Sequence, residues 1–117
     1  MCGIAGFWKN ASGRSVDKLE GIVSTMAKTL VHRGPDDSGA WSDPDAGIAL
    51  GHRRLSIIDV SKAGHQPMLS ADGRFVITYN GEVYNFQELR QELGKKSHRF
   101  NGHSDTEVML AAIVQWG

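Results

Sequence analysis

The sequence has 117 residues, 13 basic and 13 acidic side chains, and one cysteine. This length suggests a single domain, and the zero net charge without a strong charge cluster argues against a nucleic-acid or membrane surface. A single cysteine excludes an intrachain disulfide. No apolar run approaches the roughly 18 residues of a membrane helix, and no secretory signal is recognisable, so we expect a cytoplasmic protein.

The first third of the chain predicts a strand followed by a helix. Residues 3–8 are apolar with interspersed glycines, as in a buried strand. Behind Ser15, which has the character of an N-cap, apolar side chains recur at three- and four-residue steps and predict a helix over 16–31. The segments 34–39 and 42–45 have the composition of turns.

Four further strands are predicted in the middle of the chain. Apolar and β-branched residues favour strands at 48–52 and 55–60, and again at 67–69 and 75–79. The sequence Ala-Asp-Gly at 71–73 is typical of a hairpin turn between the last two. We therefore expect a sheet that is antiparallel at least in part.

Two helices are predicted in the last third. Asn85 followed by Glu88 resembles a capped helix start, with Gly94 as its stop. Ser104 and a glutamate three residues later predict a second helix over 105–115. Strands and helices alternate irregularly, which favours the α+β class over a repeated βαβ arrangement.

The single cysteine follows the initiator methionine directly. If Met1 is removed, Cys2 carries a thiol nucleophile and a free α-amine that can act as its base. The competing interpretation is that Cys2 is an incidental small hydrophobic residue. Position alone favours the second interpretation, so the assignment depends on motifs further along the chain.

Several other residues have both a chemical and a structural interpretation. Arg54, before an apolar run, can bind a carboxylate through two parallel hydrogen bonds, or can be a solvated charge at a strand edge. Asn80 and Gly81 can supply the N–H donors of an oxyanion hole, or form a simple turn. Asp105 lies in the first turn of the predicted last helix, where a carboxylate interacts favourably with the helix dipole without any further function. The segment 32–36 resembles a helix C-terminus and is interpreted as scaffold.

No cofactor site is predicted in these residues. The five histidines lack the spacings of a zinc site, and no glycine-rich nucleotide-binding motif occurs. We therefore predict neither a metal nor a bound nucleotide here.

Five motifs nevertheless occur in one order that resembles a known family. They are Met1-Cys2-Gly3-Ile4-Ala5-Gly6, His32-Arg33-Gly34-Pro35-Asp36, Arg54-Leu55-Ser56-Ile57-Ile58-Asp59, Asn80-Gly81-Glu82-Val83-Tyr84-Asn85 and Ser104-Asp105-Thr106-Glu107. Together they are similar to the glutaminase domain of a class II glutamine amidotransferase of the asparagine synthetase type. The resemblance covers the whole chain and implies an N-terminal-nucleophile hydrolase fold, with two antiparallel sheets between helical layers.

The resemblance also implies a role for each motif. Cys2 would attack the side-chain amide of glutamine, while Asn80 and Gly81 would hold the oxyanion. Arg54 would bind the substrate α-carboxylate and Asp105 its α-ammonium group. The remaining pocket groups would come from Ile57, Ile58 and Glu82.

Members of this family continue into a synthetase domain that uses ATP and magnesium. We therefore expect residues 1–117 to be the N-terminal part of a glutaminase domain, with an incomplete fold and no cofactor of its own. The expected partners are glutamine and the synthetase domain of the same polypeptide, with possible homodimerisation. Three alternatives stay open. The domain could serve an enzyme that amidates another acceptor, for example a sugar carboxylate. It could be a different N-terminal-nucleophile amidohydrolase with no synthetase partner, or a non-catalytic assembly domain that keeps Met1.

Overall fold

The computed structural model describes residues 1–9, 15–57 and 59–117, and these form an α+β arrangement of two antiparallel sheets and three α-helices. In chain order the elements are β1 (Gly3–Trp8), α1 (Val16–Lys28), β2 (Asp37–Asp43), β3 (Ile48–Arg54), a 3-10 helix (Lys62–Gly64), β4 (Met68–Leu69), β5 (Val76–Ile77), α2 (Phe86–Lys95) and α3 (Asp105–Trp116). The predicted α+β class is confirmed.

The larger sheet has β3 at its centre, between β1 and β2. In the β1–β3 ladder, Gly3 lies opposite Arg53 and Trp8 opposite Ile48. In the β2–β3 ladder, Asp37 lies opposite Arg54. The N-terminus of the chain and the end of β3 therefore meet at one end of the sheet.

Helix α1 covers one face of this sheet. The buried residues Leu19 and Val23 pack against Ala49 of β3, and together these three form the hydrophobic core of this layer. Because side chains alternate along a strand, the face that bears Ala49 does not bear His52 and Arg54. Those two buried polar side chains lie on the opposite face, where the site is found.

The second sheet is a hairpin of two short strands. Met68 pairs with Ile77 and Leu69 with Val76, so the predicted hairpin is confirmed. Gly73 has a φ of 72°, a left-handed conformation that glycine adopts at no steric cost, and it supports the predicted turn. The ladder is shorter than predicted, because it ends at Ile77 rather than at residue 79.

The three α-helices begin where predicted and end at slightly different residues, but the side chain of Asn85 makes no capping hydrogen bond at the start of α2. The Ser15 hydroxyl accepts a hydrogen bond from the Lys18 N–H at 3.3 Å, and the Ser104 hydroxyl caps α3 in the same way through the N–H of the third residue of that helix. Helix α1 ends at Lys28, one turn before the predicted residue 31, and α2 continues one residue beyond Gly94.

Two predictions about the middle of the chain were wrong. No strand forms in the described part of 55–60, where the Ser56 N–H donates to the Asp36 carboxylate and the Ser61 N–H donates to Asp59. These side-chain bonds occupy backbone groups that a strand ladder would need. Conversely, most of the turn-like composition between 34 and 45 belongs to β2, because pairing with β3 outweighs its weak local strand propensity.

Candidate active site

A cleft of about 320 Å³ opens beside the end of β3. Its volume lies at the lower end of the range for small-molecule sites, roughly 300–1,000 Å³. The cleft is lined by all of the predicted site residues except Ile58, which lies outside the described residues: Cys2, Arg54, Ile57, Asn80, Gly81, Glu82 and Asp105. Residues that are up to 103 positions apart in sequence are thus brought to one small volume.

The β1–β3 ladder positions Cys2. Gly3 faces α1, since a Cβ placed on it would lie 2.8 Å from the Leu30 Cβ, so the preceding residue points to the cleft side of the sheet. There the Cys2 Sγ accepts a hydrogen bond from the Leu55 N–H at 3.3 Å. Met1 also lines the cleft and is 70% exposed, so it lies at the mouth rather than in the protein interior.

The segment 32–36 supports this arrangement from outside the cleft. The Arg33 side chain donates from Nε to the Cys2 carbonyl oxygen at 3.2 Å. Gly34 packs so closely on β3 that a Cβ there would lie 2.3 Å from the Arg53 carbonyl carbon. This is the geometry expected of a scaffold, because the segment contacts backbone on both sides of the thiol and none of its residues lines the cleft.

Arg54 is buried at the floor of the cleft, with 7% of its surface exposed. Its Nη1 donates to the Ser61 carbonyl oxygen at 2.7 Å, which fixes the direction of the guanidinium. Gly64 lies against the same group, since a Cβ on it would be 2.1 Å from Nη2. Only a residue without a side chain leaves room for the guanidinium at this point.

Asp59 holds the turn that receives Arg54. Its Oδ2 accepts the His103 N–H at 2.7 Å and its Oδ1 accepts the Ser61 N–H at 2.8 Å. These bonds lower the pKa of the Asp59 carboxyl to about 2, and the bond from the His103 N–H has the largest effect. The carboxyl is therefore ionised at neutral pH. Asp59 lines the cleft and is 5% exposed.

The segment that carries Asn80 and Gly81 is held from below by two buried side chains. The Tyr79 N–H donates to Gln66 Oε1 at 2.6 Å, and the Tyr79 carbonyl oxygen lies 3.2 Å from His52 Nε2. Burial lowers the pKa of His52, which favours the neutral ring that can donate to this carbonyl. Asn80 and Gly81 themselves are exposed toward the cleft.

The opposite wall of the cleft is the N-terminus of α3. Asp105 is 6% exposed, and its Oδ2 accepts the Val83 N–H at 2.8 Å. Among the described residues, no hydrogen bond engages its other carboxylate oxygen. A buried carboxylate with one unengaged oxygen facing a cleft is suited to binding a cationic group.

The sequence analysis did not identify Gln66, His52 and Asp59 as part of this site. Each is polar and almost completely buried, but each bonds to backbone groups that are distant in the sequence. Asp59 did lie within a recognised motif, which was the only sequence signal for any of the three.

The residues 1–9, 15–57 and 59–117 contain no cluster of three His, Cys, Asp or Glu side chains that could hold a metal ion. Within the same residues, no helix has the length and apolar character needed to cross a membrane.

The whole chain matches one family. A family described as the glutamine amidotransferase domain matches residues 1–117. The chain is 46% identical over 112 residues to glutamine-hydrolyzing asparagine synthetase 1 of Bacillus subtilis, an alignment that covers 95% of this chain and 17% of that protein. It is 38% identical over 120 residues to glutamine-hydrolyzing asparagine synthetase 1 of Arabidopsis thaliana, covering 100% of this chain and 19% of that protein.

A relative with a different name has a similar overlap. Amidase chry2 of Gibberella zeae is 33% identical over 124 residues, which cover 100% of this chain and 18% of that protein. The chain thus spans less than a fifth of the length of these curated relatives. Because the family match covers every residue, the chain belongs to the glutamine amidotransferase domain family.

Proposed function

We propose that this domain hydrolyses glutamine to glutamate and ammonia, with Cys2 as the nucleophile. The observation that carries the proposal is the convergence of Cys2, Arg54, Asn80 and Asp105 on one cleft of about 320 Å³. A free amino acid with an amide side chain has an α-carboxylate, an α-ammonium group and an amide carbonyl. This cleft offers a complementary group for each of them.

The two charged groups on the α-carbon of the substrate are bound by side chains of opposite charge. Arg54 receives the α-carboxylate, because a guanidinium has five N–H donors and only one of its nitrogens is engaged by the Ser61 carbonyl. Asp105 receives the α-ammonium group through the oxygen that does not bond to Val83. Groups of Ile57 and Glu82, which both line the cleft, complete the pocket around the substrate.

The reaction requires Met1 to be removed, because only then does Cys2 have a free α-amine. The amine takes the thiol proton as Sγ attacks the amide carbon, and Asn80 and Gly81 donate N–H groups to the oxyanion. Breakage of the carbon–nitrogen bond releases ammonia, which takes a proton from the α-ammonium group of Cys2. Water then attacks the thioester, again with the amine as base, and glutamate leaves.

The ammonia is proposed to supply a synthetase domain of the same polypeptide that makes asparagine with ATP and magnesium. The names of the two asparagine synthetases support this proposal. The relative named as an amidase is not named as an asparagine synthetase, so another acceptor is the alternative. We further propose that the two antiparallel sheets belong to an N-terminal-nucleophile hydrolase sandwich. A catalytic thiol is consistent with a reducing, cytoplasmic location.

The test uses the full-length gene product and a diazo-ketone analogue of glutamine. Intact mass should show loss of Met1, and peptide mapping should place the label on Cys2 alone. Cys2→Ala should abolish labelling and glutamine hydrolysis, and Cys2→Ser should lose most of the hydrolysis because a hydroxyl is a weaker nucleophile. Arg54→Lys serves as a control with the thiol intact: it should slow labelling by the analogue but not by iodoacetamide.

Labelling that persists in Cys2→Ala would refute the assignment of the nucleophile. A mature protein that keeps Met1 and does not hydrolyse glutamine would instead support the non-catalytic assembly domain.

A further inference from the structure

Gln66 connects two walls of the cleft. Its side chain is buried, with 6% of the residue exposed, and the residue lines the cleft from below. Oε1 accepts the Tyr79 N–H at 2.6 Å, and Nε2 donates to the Thr106 hydroxyl at 3.4 Å. Tyr79 directly precedes Asn80, and Thr106 directly follows Asp105. One carboxamide therefore bonds next to both segments that are proposed to hold opposite ends of the substrate.

The Tyr79 backbone depends on side chains because the sheet does not extend to it. Strand β5 ends at Ile77, so among the residues that the structure describes no ladder partner holds the Tyr79 peptide groups. Gln66 bonds its N–H, and His52 bonds its carbonyl oxygen. Two buried side chains thus take the place of the missing strand pairing, and they fix where Asn80 begins.

Gln66 itself is anchored to the larger sheet. The backbone carbonyl oxygen of Gln66 lies so close to β2 that a Cβ on Gly39 would be 2.0 Å from it. Gly39 pairs with His52 in the central ladder. The backbone of Gln66 is therefore packed against the larger sheet, and its carboxamide extends from this backbone to the two segments that it bonds.

We propose that Gln66 is a positioning residue that ties the oxyanion-hole segment to the N-terminus of α3, and so sets the distance between the amide site and the ammonium site. This rests on the proposed glutaminase function. A ground-state contact at one end of the substrate should change little when Gln66 is lost, whereas alignment of the amide over the Cys2 thiol should fail. A displacement of about 1 Å can reduce a rate roughly a hundredfold.

Loss of the Gln66 hydrogen bonds should lower turnover and weaken the discrimination between glutamine and the shorter asparagine. In Gln66→Met, which keeps the shape but loses both hydrogen bonds, we expect kcat for glutamine to fall about 10- to 100-fold while KM changes less than about threefold. The preference for glutamine over the one-carbon-shorter asparagine should fall at least about tenfold. Alkylation of Cys2 by iodoacetamide should stay within about twofold of the wild type, because the hydrogen bonds of the thiol among the described residues are with Leu55 and not with Gln66.

Partner variants separate this role from simple stabilisation. Thr106→Val removes only the second hydrogen bond and should reduce kcat about 3- to 10-fold, while Thr106→Ser keeps the hydroxyl and should retain most of the turnover. The double variant Gln66→Met/Thr106→Val should be no worse than Gln66→Met alone. Ser70→Ala is the matched control, since Ser70 is a buried, hydrogen-bonded polar residue outside the cleft. It should lose stability without losing turnover.

Hydrogen exchange gives a readout that does not depend on activity. In the full-length Gln66→Met protein, exchange should increase both in the peptide around residue 79 and in the peptide around residue 106. An increase in only one of them, or a folded Gln66→Met variant with wild-type kcat, would overturn the proposal. If Gln66→Met does not fold, Thr106→Val with turnover equal to Thr106→Ser overturns it. A wild-type protein without glutaminase activity would refute the proposed function separately. The hydrogen-exchange result would still show whether Gln66 links the segments around residues 79 and 106.

Discussion

The carboxylate of Asp59 should stabilise the domain and the substrate site together. The substitution Asp59→Asn keeps the shape of the side chain. One of the two backbone N–H groups that donate to the carboxylate must then face the N–H₂ of the amide. The pKa of Asp59 is lowered from 3.8 to about 2, which corresponds to at most about 2.4 kcal/mol at about 1.36 kcal/mol per pKa unit. The carboxylate borders an open cleft, so solvent screening reduces the expected loss to about 1–2 kcal/mol.

The sign of the pH dependence follows from the depressed pKa. The stabilisation by the Asp59 carboxylate is fully present above its ordinary value of 3.8 and is lost as the pH falls through about 2. Urea unfolding of the full-length protein, followed by a signal from this domain, should therefore show a difference between wild type and Asp59→Asn that is constant from pH 7 to about 5. That difference should shrink below pH 4.

Asp72 provides a matched control, because its pKa is also lowered to about 2, first by the Ser70 hydroxyl and then by Arg74. Its carboxylate lies on the exposed hairpin turn, where solvent screens it, so Asp72→Asn should change stability much less. Only Asp59→Asn should also raise KM for glutamine, since Asp59 orients the Ser61 carbonyl that fixes Arg54. Equal effects of the two variants on stability and on KM would refute the reasoning.

The remaining predictions concern the site, the core and the isolated chain. Arg54→Lys and Asp105→Asn should raise KM for glutamine more than they change kcat. Asn80→Ala should instead lower kcat roughly a hundredfold to a thousandfold. Steady-state kinetics in which all three variants change both constants equally would contradict this division. Val23→Ala should cost about 1–3 kcal/mol in urea unfolding, because Val23 is fully buried under the sheet; a loss below about 0.5 kcal/mol would contradict that packing. Burial lowers the pKa of His52 from 6.5, so its contribution to stability is complete above pH 6.5 and is lost as the pH falls toward the lower value; His52→Gln should flatten the stability change between pH 7 and 5. The isolated chain should self-associate and lack full activity in size-exclusion and glutaminase assays, because β1 and β2 are edge strands; an active monomer with a cooperative melt would disprove it.

The sequence predicted the parts of the fold that depend on local signals. Ser15 and Ser104 mark helix starts because a hydroxyl that caps an N–H acts within three residues. The hairpin turn at Gly73 is similarly local, since its positive φ requires glycine or a few other residues. The candidate site residues were predicted by another route, through motifs that resemble a family, and neither periodicity nor spacing would have joined them.

The missed features depend on partners that are far away along the chain. Strand β2 has no apolar alternation, and it is a strand because β3 pairs with it. Gln66 and Asp59 were missed because hydrogen bonds that place them at the site reach partners as many as 40 and 44 residues away. Glutamine and aspartate are usually exposed, so only the fold shows that these two are buried.

Strand register brings Cys2 and Arg54 to the same cleft. Because Gly3 lies opposite Arg53, Cys2 stands one step further along the same ladder, next to Arg54, and both side chains point to the cleft face. A slip of one residue would turn the thiol toward α1 and leave the guanidinium facing the cleft alone. The packing of Ala5 and Phe7 of β1 against the core of Leu19, Val23 and Ala49 therefore does more than stabilise this layer. It favours the register in which the Cys2 thiol and the Arg54 guanidinium share a cleft.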